Sequence, residues 1–275
     1  MDKEYCVIGD PIAHSLSPLI YNTLFSHYEL NNCSYTKKRV SAETLPSFIA
    51  SIQQLGICGF NVTMPLKKAV LPYLNYQDAS IVCGANTVVV ESTSGLAGWS
   101  TDALGFERNL EQHGCSFRRA NVVFLGSGGA AQALVYAAVR QAAAITVLNR
   151  TPAHAAQLAR LPGVSVGSLT AENIVQAMPG CTLLINCTPL GMTGVQSNFA
   201  DLSFLAKLPR SAMVCDLIYD PLKTRFLAEA EQTGHPILNG LGMLIWQALY
   251  AFEKFTRIAP DMEAFAAVQA VLSTR

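Results

Sequence analysis

The sequence predicts an α/β fold built from parallel sheets that helices cover. Short β-rich runs alternate with longer helical stretches, which is typical of parallel α/β layers. Only 14% of the 275 residues are charged and 51% are apolar. A high apolar and low charged content suits strands that are covered on both faces, because such strands consist of continuous apolar runs. The length allows one large domain or two of ordinary size, since a domain has about 100–200 residues.

The strands and helices follow from local signals. The predicted strands are 4–8, 34–39, 58–62, 86–91, 121–125, 144–148, 164–167, 181–186 and 213–216. Two of the helices begin with a proline after a Ser or Thr, at Ser17-Pro18 and Thr151-Pro152, the usual arrangement at a first helical turn. The predicted helices are 18–29, 65–74, 103–113, an alanine-rich segment ending at Arg140, 153–160, 240–257 and 261–272.

The charge balance argues against a nucleic-acid-binding protein. The chain has 19 Lys and Arg against 19 Asp and Glu, so it carries no formal net charge at pH 7. Its longest basic cluster is Lys37-Lys38-Arg39. A protein that follows a phosphate backbone needs far more positive charge.

Three charge-free runs, 120–139, 173–200 and 235–252, raise the question of a membrane. A bilayer span needs about 20 mostly apolar residues. Glycines interrupt the first run, while prolines, glycines and an asparagine interrupt the second, and the third is short and contains polar residues. The N-terminus lacks the layout of a signal peptide. We therefore expect a cytoplasmic protein without a membrane partner.

The eight cysteines form no C-x-x-C pair and have no His at ligand spacing. We expect them to be buried apolar residues in a reducing compartment. Neither a disulfide framework nor a metal site is predicted.

A glycine turn between a strand and a helix indicates a dinucleotide site. The apolar strand 121–125 runs into Gly126, Ser127, Gly128, Gly129 and Ala130, and an alanine-rich helix follows. Glycines let the backbone approach a pyrophosphate, whose charge meets free N–H groups at the helix N-terminus. The alternative is a tight turn with no ligand. Placement in a β-α-β unit favours a Rossmann-like, doubly wound domain.

The end of the next strand indicates which cofactor binds. An NAD site places an Asp or Glu there to accept from the ribose 2′-hydroxyl. This chain has Asn149, Arg150 and Thr151. A guanidinium without a carboxylate suits a 2′-phosphate, so the segment predicts NADP. The alternative is that Arg150 is an ordinary solvated residue at a strand end.

Polar side chains in the first hundred residues gather at predicted strand ends, where open α/β sheets bind small ligands. These residues are Ser15, Ser17, Asn61, Thr63, Lys67, Asn86, Thr87, Thr101 and Asp102. Many hydroxyls and amides with one cation and one anion favour a small polyhydroxylated substrate, and such a set can also bind a carboxylate. The alternatives are that Ser17 and Thr101 only cap helices and that Lys67 is a surface lysine.

Taken together, the segments resemble the shikimate dehydrogenase family over nearly the whole chain. The matching segments are Ser15-Leu16-Ser17-Pro18, Asn61 to Lys67, Asn86-Thr87, Thr101-Asp102 with Gly105, the glycine loop, Asn149-Arg150-Thr151, Asn186 to Met192, Asp216 with Tyr219, Pro221 and Thr224, and Gly240 with Met243, Leu244 and Gln247. Several motifs in the right order are more specific than any one of them.

The resemblance implies a substrate domain over 1–102, completed by 239–275, and an NADP-binding domain over 103–238. It implies reversible, NADPH-dependent reduction of 3-dehydroshikimate to shikimate in aromatic amino acid biosynthesis. Lys67 matches the catalytic lysine and Asp102 its partner. Hydride delivery to a ketone builds negative charge on its oxygen, which a positioned proton donor neutralises.

The resemblance also assigns the binding residues. Ser15 and Ser17 match hydroxyls that bind the substrate carboxylate. Thr63, Asn86, Asp102 and Gln247 match ligands of the ring hydroxyls, and Tyr219 matches a substrate-side tyrosine. Thr188, Leu217 and Gly240 match cofactor contacts. His154 stands where a second basic residue often supports the 2′-phosphate, and Leu66 and Ser100 also depart from the common pattern.

Two other functions stay open. One is a quinate/shikimate dehydrogenase that uses NAD or NADP, and the other is a non-catalytic metabolite sensor on the same fold. A sensor does not need the Lys67 and Asp102 pair. In each case we expect a small-molecule ligand, no nucleic acid, and a monomer or homodimer.

Overall fold

In a computed structural model, which describes residues 2–91, 93 and 95–274, the chain forms two compact units. The first contains residues 1–105 and 245–275, and the second contains residues 106–244. The strands are β1 (Lys3–Gly9), β2 (Cys33–Arg39), β3 (Ile57–Val62), β4 (Tyr76–Gln77), β5 (Thr87–Glu91), β6 (Gly95–Trp99), β7 (Asn121–Leu125), β8 (Ala144–Asn149), β9 (Val164–Ser168), β10 (Leu183–Asn186), β11 (Met213–Asp216) and β12 (Ile237–Leu238). The α-helices are α1 (Ser17–His27), α2 (Leu45–Ser51), α3 (Asp102–Gln112), α4 (Gly129–Ala138), α5 (Ala171–Ala177), α6 (Arg225–Gln232), α7 (Leu241–Thr256) and α8 (Met262–Ser273).

The first unit contains a mixed sheet with the strand order β2-β1-β3-β5-β6-β4. β1 pairs in parallel with β2 and β3, whereas β5 is antiparallel to both β3 and β6. The C-terminal end of β3, the N-terminal end of β5 and the C-terminal end of β6 therefore lie at one edge. Apolar residues of β1 and β3 pack with α2 in one core, in which Ile8, Phe60 and Val88 are fully buried.

The second unit contains an all-parallel sheet with the order β12-β11-β10-β7-β8-β9. Numbered from β7, this is the 3-2-1-4-5-6 order of doubly wound dinucleotide-binding folds. The order reverses between β7 and β10, and ligands of such sheets bind beyond the carboxyl ends of the strands at that point. The predicted α/β class with a Rossmann-like domain is confirmed.

The charge-free runs supply buried strands and helices of these units, although residues 187–198 of the second run are partly or fully exposed. The first run supplies β7 and α4, the second α5 and β10, and the third β12 and much of α7. Among the described residues, we find no helix with the length and apolar character needed to cross a bilayer.

The strands predicted from the sequence match observed strands to within two residues at each end. The short strands β4 and β12 and the strand β6 were not predicted. β6 is hidden by its composition, because Gly95, Ala97 and Gly98 have low strand propensity. Helices α2, α5 and α6 were also missed, because seven or eight residues give little periodicity. Thr170 and Thr224, which accept hydrogen bonds at the N-termini of α5 and α6, were the overlooked signals.

The predicted helix over 65–74 is wrong. The chain makes irregular turns over 64–70 and a 3-10 helix at Leu71–Tyr73. Pro72 has no N–H to donate to the carbonyl of Lys68. The carbonyl of Lys67 accepts instead from the N–H of Ala85, at 2.9 Å, rather than from the next turn of a helix.

The predicted helix over 153–160 is also wrong as an α-helix. Two 3-10 helices, Pro152–Ala155 and Leu158–Arg160, occupy this segment. The segment is short and ends before Pro162, which disfavours helical backbone at Leu161. Leu161 is extended, with φ −82° and ψ 144°.

We predict that Gly105→Ala destabilises the protein. An alanine inside a helix usually stabilises by roughly 0.5–1 kcal/mol relative to glycine. A Cβ at Gly105 in α3, however, would lie 2.6 Å from the backbone nitrogen of Gln247. Backbone cannot easily move away, so we expect a loss of about 1–3 kcal/mol, measured by urea unfolding.

Gly129→Ala is the matched control. Gly129 is also helical, but a Cβ there would meet no atom within 4 Å. Its unfolding midpoint should equal or exceed that of the wild type. A Gly105→Ala variant as stable as the Gly129→Ala control would contradict this packing.

Candidate active site

In the first unit, polar residues predicted from the sequence lie at strand ends that meet at one edge of the sheet. Thr63 follows β3, Asn86 precedes β5, and Thr101 and Asp102 follow β6. The register, in which Asn61 pairs with Thr87 and Thr87 with Trp99, sets these residues side by side. The antiparallel β5 thus brings together segments that are far apart in sequence.

Lys67 and Asp102 form an ion pair at this edge, with 2.5 Å between Nζ and Oδ2. The lysine side chain is 24% exposed and the aspartate side chain 11% exposed. Asp102 is the first residue of α3, where a carboxylate also suits the positive end of the helix dipole. The pair is shielded from most solvent but keeps an open side.

Gly84 fixes the backbone that carries Lys67. It has φ +144°, a conformation that residues with a side chain rarely adopt. A Cβ at Gly84 would lie 2.8 Å from the carbonyl oxygen of Lys67. The close approach lets the N–H of Ala85 bond to that oxygen.

The side chain of Asn86 connects the groups around the ion pair. Its Nδ2 lies 3.0 Å from Asp102 Oδ1, 2.9 Å from Thr101 Oγ1 and 3.3 Å from Gln247 Oε1. Its Oδ1 accepts from the N–H of Thr101 and the hydroxyl of Thr87, both at 2.9 Å. Both oxygens of Asp102 are therefore held, one by Lys67 and one by Asn86.

Asn61 holds the backbone of Asn86 in place through a hydrogen bond. Its Nδ2 donates to the carbonyl of Asn86 at 3.0 Å, and its Oδ1 accepts from the Tyr35 hydroxyl at 2.6 Å. Asn61 and Tyr35 are buried, and Tyr35 stacks on Tyr21 with 4.2 Å between ring centroids. Sequence reasoning did not single out Tyr35, because an aromatic residue on an edge strand has no distinctive spacing.

Ser15, in the loop after β1, lies next to Ser17 at the start of α1. Their hydroxyl oxygens are 3.2 Å apart, and the Ser17 N–H donates to Ser15 Oγ at 3.3 Å. Ser17 is the first residue of α1 and its side chain makes no capping bond, so the capping alternative is not observed. Thr63 packs against Gly9, where a Cβ would lie 2.5 Å from Thr63 Cγ2.

The alternative that Thr101 only caps a helix is likewise not supported. Thr101 is buried, and its hydroxyl donates to the carbonyl of Gln247 at 2.9 Å. It therefore joins the start of α3 to α7 within this unit.

In the second unit, the glycine loop follows β7 at the reversal of strand order. Gly126 has φ +99°, and its N–H donates to the carbonyl of Leu148 at 2.7 Å. A Cβ at Gly128 or Gly129 would meet no protein atom within 4 Å. The protein's own packing does not require these two glycines, whereas close approach of a pyrophosphate to the N-terminus of α4 would.

Asn149, at the end of β8, joins the glycine loop to the next turn. Its Oδ1 accepts from the N–H of Ser127 at 3.2 Å, and its Nδ2 donates to the carbonyl of Thr151 at 2.8 Å. Arg150 and His154 are exposed, and Arg150 makes no ion pair with any carboxylate of the described residues. An unpaired guanidinium beside this loop fits a 2′-phosphate.

The remaining predicted cofactor contacts follow β10 and β11. Thr188 comes two residues after β10, and a Cβ at Gly126 would lie 3.0 Å from its Cγ2. Leu217 follows β11 directly, and its carbonyl oxygen lies so close to Gly240 that a Cβ there would clash with it. Thr188 is thus adjacent to the glycine loop, and Gly240 is adjacent to Leu217.

Tyr219 belongs to the second unit, unlike the other predicted substrate ligands. Its side chain is half-buried, and burial raises the pKa of the phenol. The predicted substrate ligands of the first unit are Ser15, Ser17, Thr63, Lys67, Asn86, Asp102 and Gln247. Of these, direct hydrogen bonds or the ion pair connect Lys67, Asp102, Asn86 and Gln247.

Comparisons with known proteins agree with this geometry. The family model for the shikimate dehydrogenase substrate binding domain matches residues 7–88. A shikimate dehydrogenase (NADP(+)) of Pyrococcus abyssi is 38% identical over 263 residues, covering 95% of both chains. One of Lysinibacillus sphaericus is 35% identical over 265 residues, again covering 95% of both.

A solved structure of similar fold is shikimate 5-dehydrogenase from Thermus thermophilus, in complex with NADP(H) and shikimate. It is 31% identical, with a TM-score of 0.84, and the match covers 98% of this chain and 100% of that chain. Because curated relatives align with it over nearly the full length of both chains, this protein belongs to the shikimate dehydrogenase family.

Proposed function

We propose that this protein catalyses the reversible, NADPH-dependent reduction of 3-dehydroshikimate to shikimate in aromatic amino acid biosynthesis. The observation that carries the proposal is the Lys67–Asp102 pair, 2.5 Å between Nζ and Oδ2, in a unit that matches the family's substrate-binding model. Relatives that share nearly the whole chain are named for this reaction.

The pair accounts for the proton in the reaction. When bound, NADPH would supply a hydride for the ketone carbon, and the negative charge that develops on the carbonyl oxygen would then need a proton. Lys67 Nζ donates a proton to that oxygen, so that the ketone becomes a hydroxyl, and in the reverse direction the amine accepts the proton. Asp102 holds the ammonium in place, and Asn86 holds Asp102.

The hydroxyls and amides of the first unit suit the rest of the substrate. The Ser15 and Ser17 hydroxyls donate to the carboxylate, and Thr63, Asn86, Asp102 and Gln247 bond to the ring hydroxyls. Tyr219 is assigned to the substrate as well, as the family resemblance implies. Asn86 and Asp102 therefore have two roles, since they also orient each other.

In the second unit, we assign NADP to the loop after β7 and the turn after β8. The N–H groups at the start of α4 meet the pyrophosphate, with Gly126, Ser127, Gly128, Gly129 and Ala130 lining it. Asn149, Arg150, Thr151 and His154 meet the ribose and its 2′-phosphate. Thr188, Leu217 and Gly240 contact the other half of the cofactor.

The proposed substrate domain contains residues 1–102 and 239–275, and the proposed NADP-binding domain contains residues 103–238. Gly240 and Tyr219 are exceptions, since Gly240 is assigned to the cofactor and Tyr219 to the substrate. The cysteines of the described residues are all free thiols, which suits a reducing cytoplasm. We propose that the protein acts there as a monomer or homodimer on a small-molecule substrate.

The test is oxidation of shikimate and of quinate, each with NADP and with NAD. We expect shikimate with NADP to give the highest kcat/KM. Preference for quinate would favour the quinate/shikimate dehydrogenase, and no turnover in any of the four combinations would favour the sensor.

We predict that Lys67→Ala lowers kcat for shikimate oxidation by about 10²–10⁴, the usual contribution of general acid-base catalysis. The matched control is Lys68→Ala, because Lys68 is the exposed neighbour on the same turn. Lys68→Ala should keep the wild-type kcat. A loss smaller than about tenfold in Lys67→Ala would remove the lysine from this role.

We predict that Arg150→Ala raises KM for NADPH by about tenfold or more, since a charge-assisted bond contributes about 1.5–3 kcal/mol. KM for NADH, which lacks the phosphate, should stay nearly unchanged. Arg160→Ala, at another exposed arginine of the same unit, is the control. An unchanged KM for NADPH in Arg150→Ala would contradict the assignment.

A further inference from the structure

Asp216, at the end of β11, carries a buried carboxylate that the proposed chemistry does not use. It is 1% exposed, and Asn186, its register partner at the end of β10, is fully buried. Both lie at the carboxyl ends of strands in the half of the sheet that begins at the reversal of strand order. Sequence reasoning assigned neither residue a role.

Three neutral groups hold this carboxylate. Asn186 Nδ2 and the N–H of Ile218 donate to Oδ1 at 3.0 and 3.1 Å, and the Thr224 hydroxyl donates to Oδ2 at 2.7 Å. No Lys, Arg or His of the described residues forms an ion pair with it. Burial raises the pKa of Asp216 to about 6, although the three donors act in the opposite direction.

An unpaired buried charge costs free energy, so stability alone is a poor reason for a carboxylate here. An apolar side chain would avoid the desolvation penalty. What the carboxylate provides instead is a fixed orientation of the hydrogen-bond donors around it. As an acceptor only, it requires each neighbour to turn a donor toward it.

This requirement fixes the side-chain amide of Asn186. Since Nδ2 points to Asp216, Oδ1 points to the following turn, where it accepts from the N–H and the hydroxyl of Thr188 at 3.0 and 2.7 Å. Thr188 in turn lies against Gly126, the first residue of the glycine loop. A reversed amide would lose these bonds.

The same carboxylate fixes the segment after β11. The N–H of Ile218 bonds to Asp216 Oδ1, and the carbonyl of Ile218 accepts from the N–H of Gly240 at 3.0 Å. The carbonyl of Leu217 approaches Gly240 too closely for any side chain there. One buried group therefore holds Thr188, Leu217 and Gly240, which are the proposed cofactor contacts outside the glycine loop and ribose turn.

We propose that Asp216 is a positioning residue of the cofactor site, which acts through Asn186 and the backbone of Ile218 to hold the three contacts that follow the sheet. The inference rests on the proposed NADP-binding function. It concerns cofactor affinity and not the proton transfer or the substrate.

The test compares Asp216→Ala and Asp216→Asn with the wild type by NADPH titration and by the two KM values. Asp216→Ala leaves three donors without an acceptor, those of Asn186, Ile218 and Thr224, and we expect NADPH affinity to fall about tenfold or more. Asp216→Asn keeps one oxygen for Asn186 and Ile218 when its amide nitrogen faces Thr224. It loses the charge, so we expect an intermediate loss of about three- to fivefold. KM for shikimate should stay within about twofold in both.

Thr224→Val is the control for stability. It removes the donor to the other oxygen and the N-cap of α6, so it lowers the unfolding midpoint without touching Asn186 or Ile218. Its NADPH affinity should stay within about twofold of the wild type. If Asp216→Ala does not fold, Asp216→Asn decides.

Wild-type affinity in Asp216→Asn, or a loss of NADPH affinity in Thr224→Val as large as in the Asp216 variants, would overturn the inference. An equal rise in KM for shikimate would also overturn it. A wild-type protein that neither binds NADPH nor oxidises shikimate would instead refute the proposed function.

Discussion

The arrangement of the first unit depends on one constraint: both oxygens of the Asp102 carboxylate are bonded to other side chains. Lys67 binds one oxygen and Asn86 the other, so the carboxylate cannot rotate without breaking a bond to a charged or buried partner. Asn86 is held by Thr87, Thr101 and Asn61, of which Thr87 and Asn61 are register partners in the sheet. The ammonium is therefore oriented before any substrate arrives, which is how fixed charges contribute most to catalysis.

Close packing of the backbone positions Lys67 so that it can bond to Asp102. Lys67 lies on irregular turns, and a helix there would direct its carbonyl along the helix axis instead of to Ala85. Gly84 provides the space for that contact. The second unit uses glycine in two ways: Gly240 admits the Leu217 carbonyl, whereas Gly128 faces open space that the cofactor is proposed to fill.

The sequence predicted much of this fold because its longer elements have strong local signals. The apolar strand 121–125 and the glycine turn after it needed no tertiary information. The turns around Lys67 were mispredicted because Pro65 resembles a helix start, and only the contact with Ala85 shows otherwise. The hydrogen bonds around Asn86 could not be predicted for a similar reason, because they depend on the antiparallel pairing of β5 with β3 and β6. The sequence therefore predicted candidate residues for each site, apart from Tyr35, but it did not predict the hydrogen bonds that orient them.

The role of Lys67 as proton donor can be tested with a crystal structure in which shikimate and NADP are bound. We expect the hydroxyl to be oxidised to lie within hydrogen-bond distance, about 2.6–3.2 Å, of Lys67 Nζ, with Asn86 still bonded to Asp102. The substrate carboxylate should lie at Ser15 and Ser17. A complex in which that hydroxyl binds away from Lys67, or in which Asp102 has left Asn86, would contradict it.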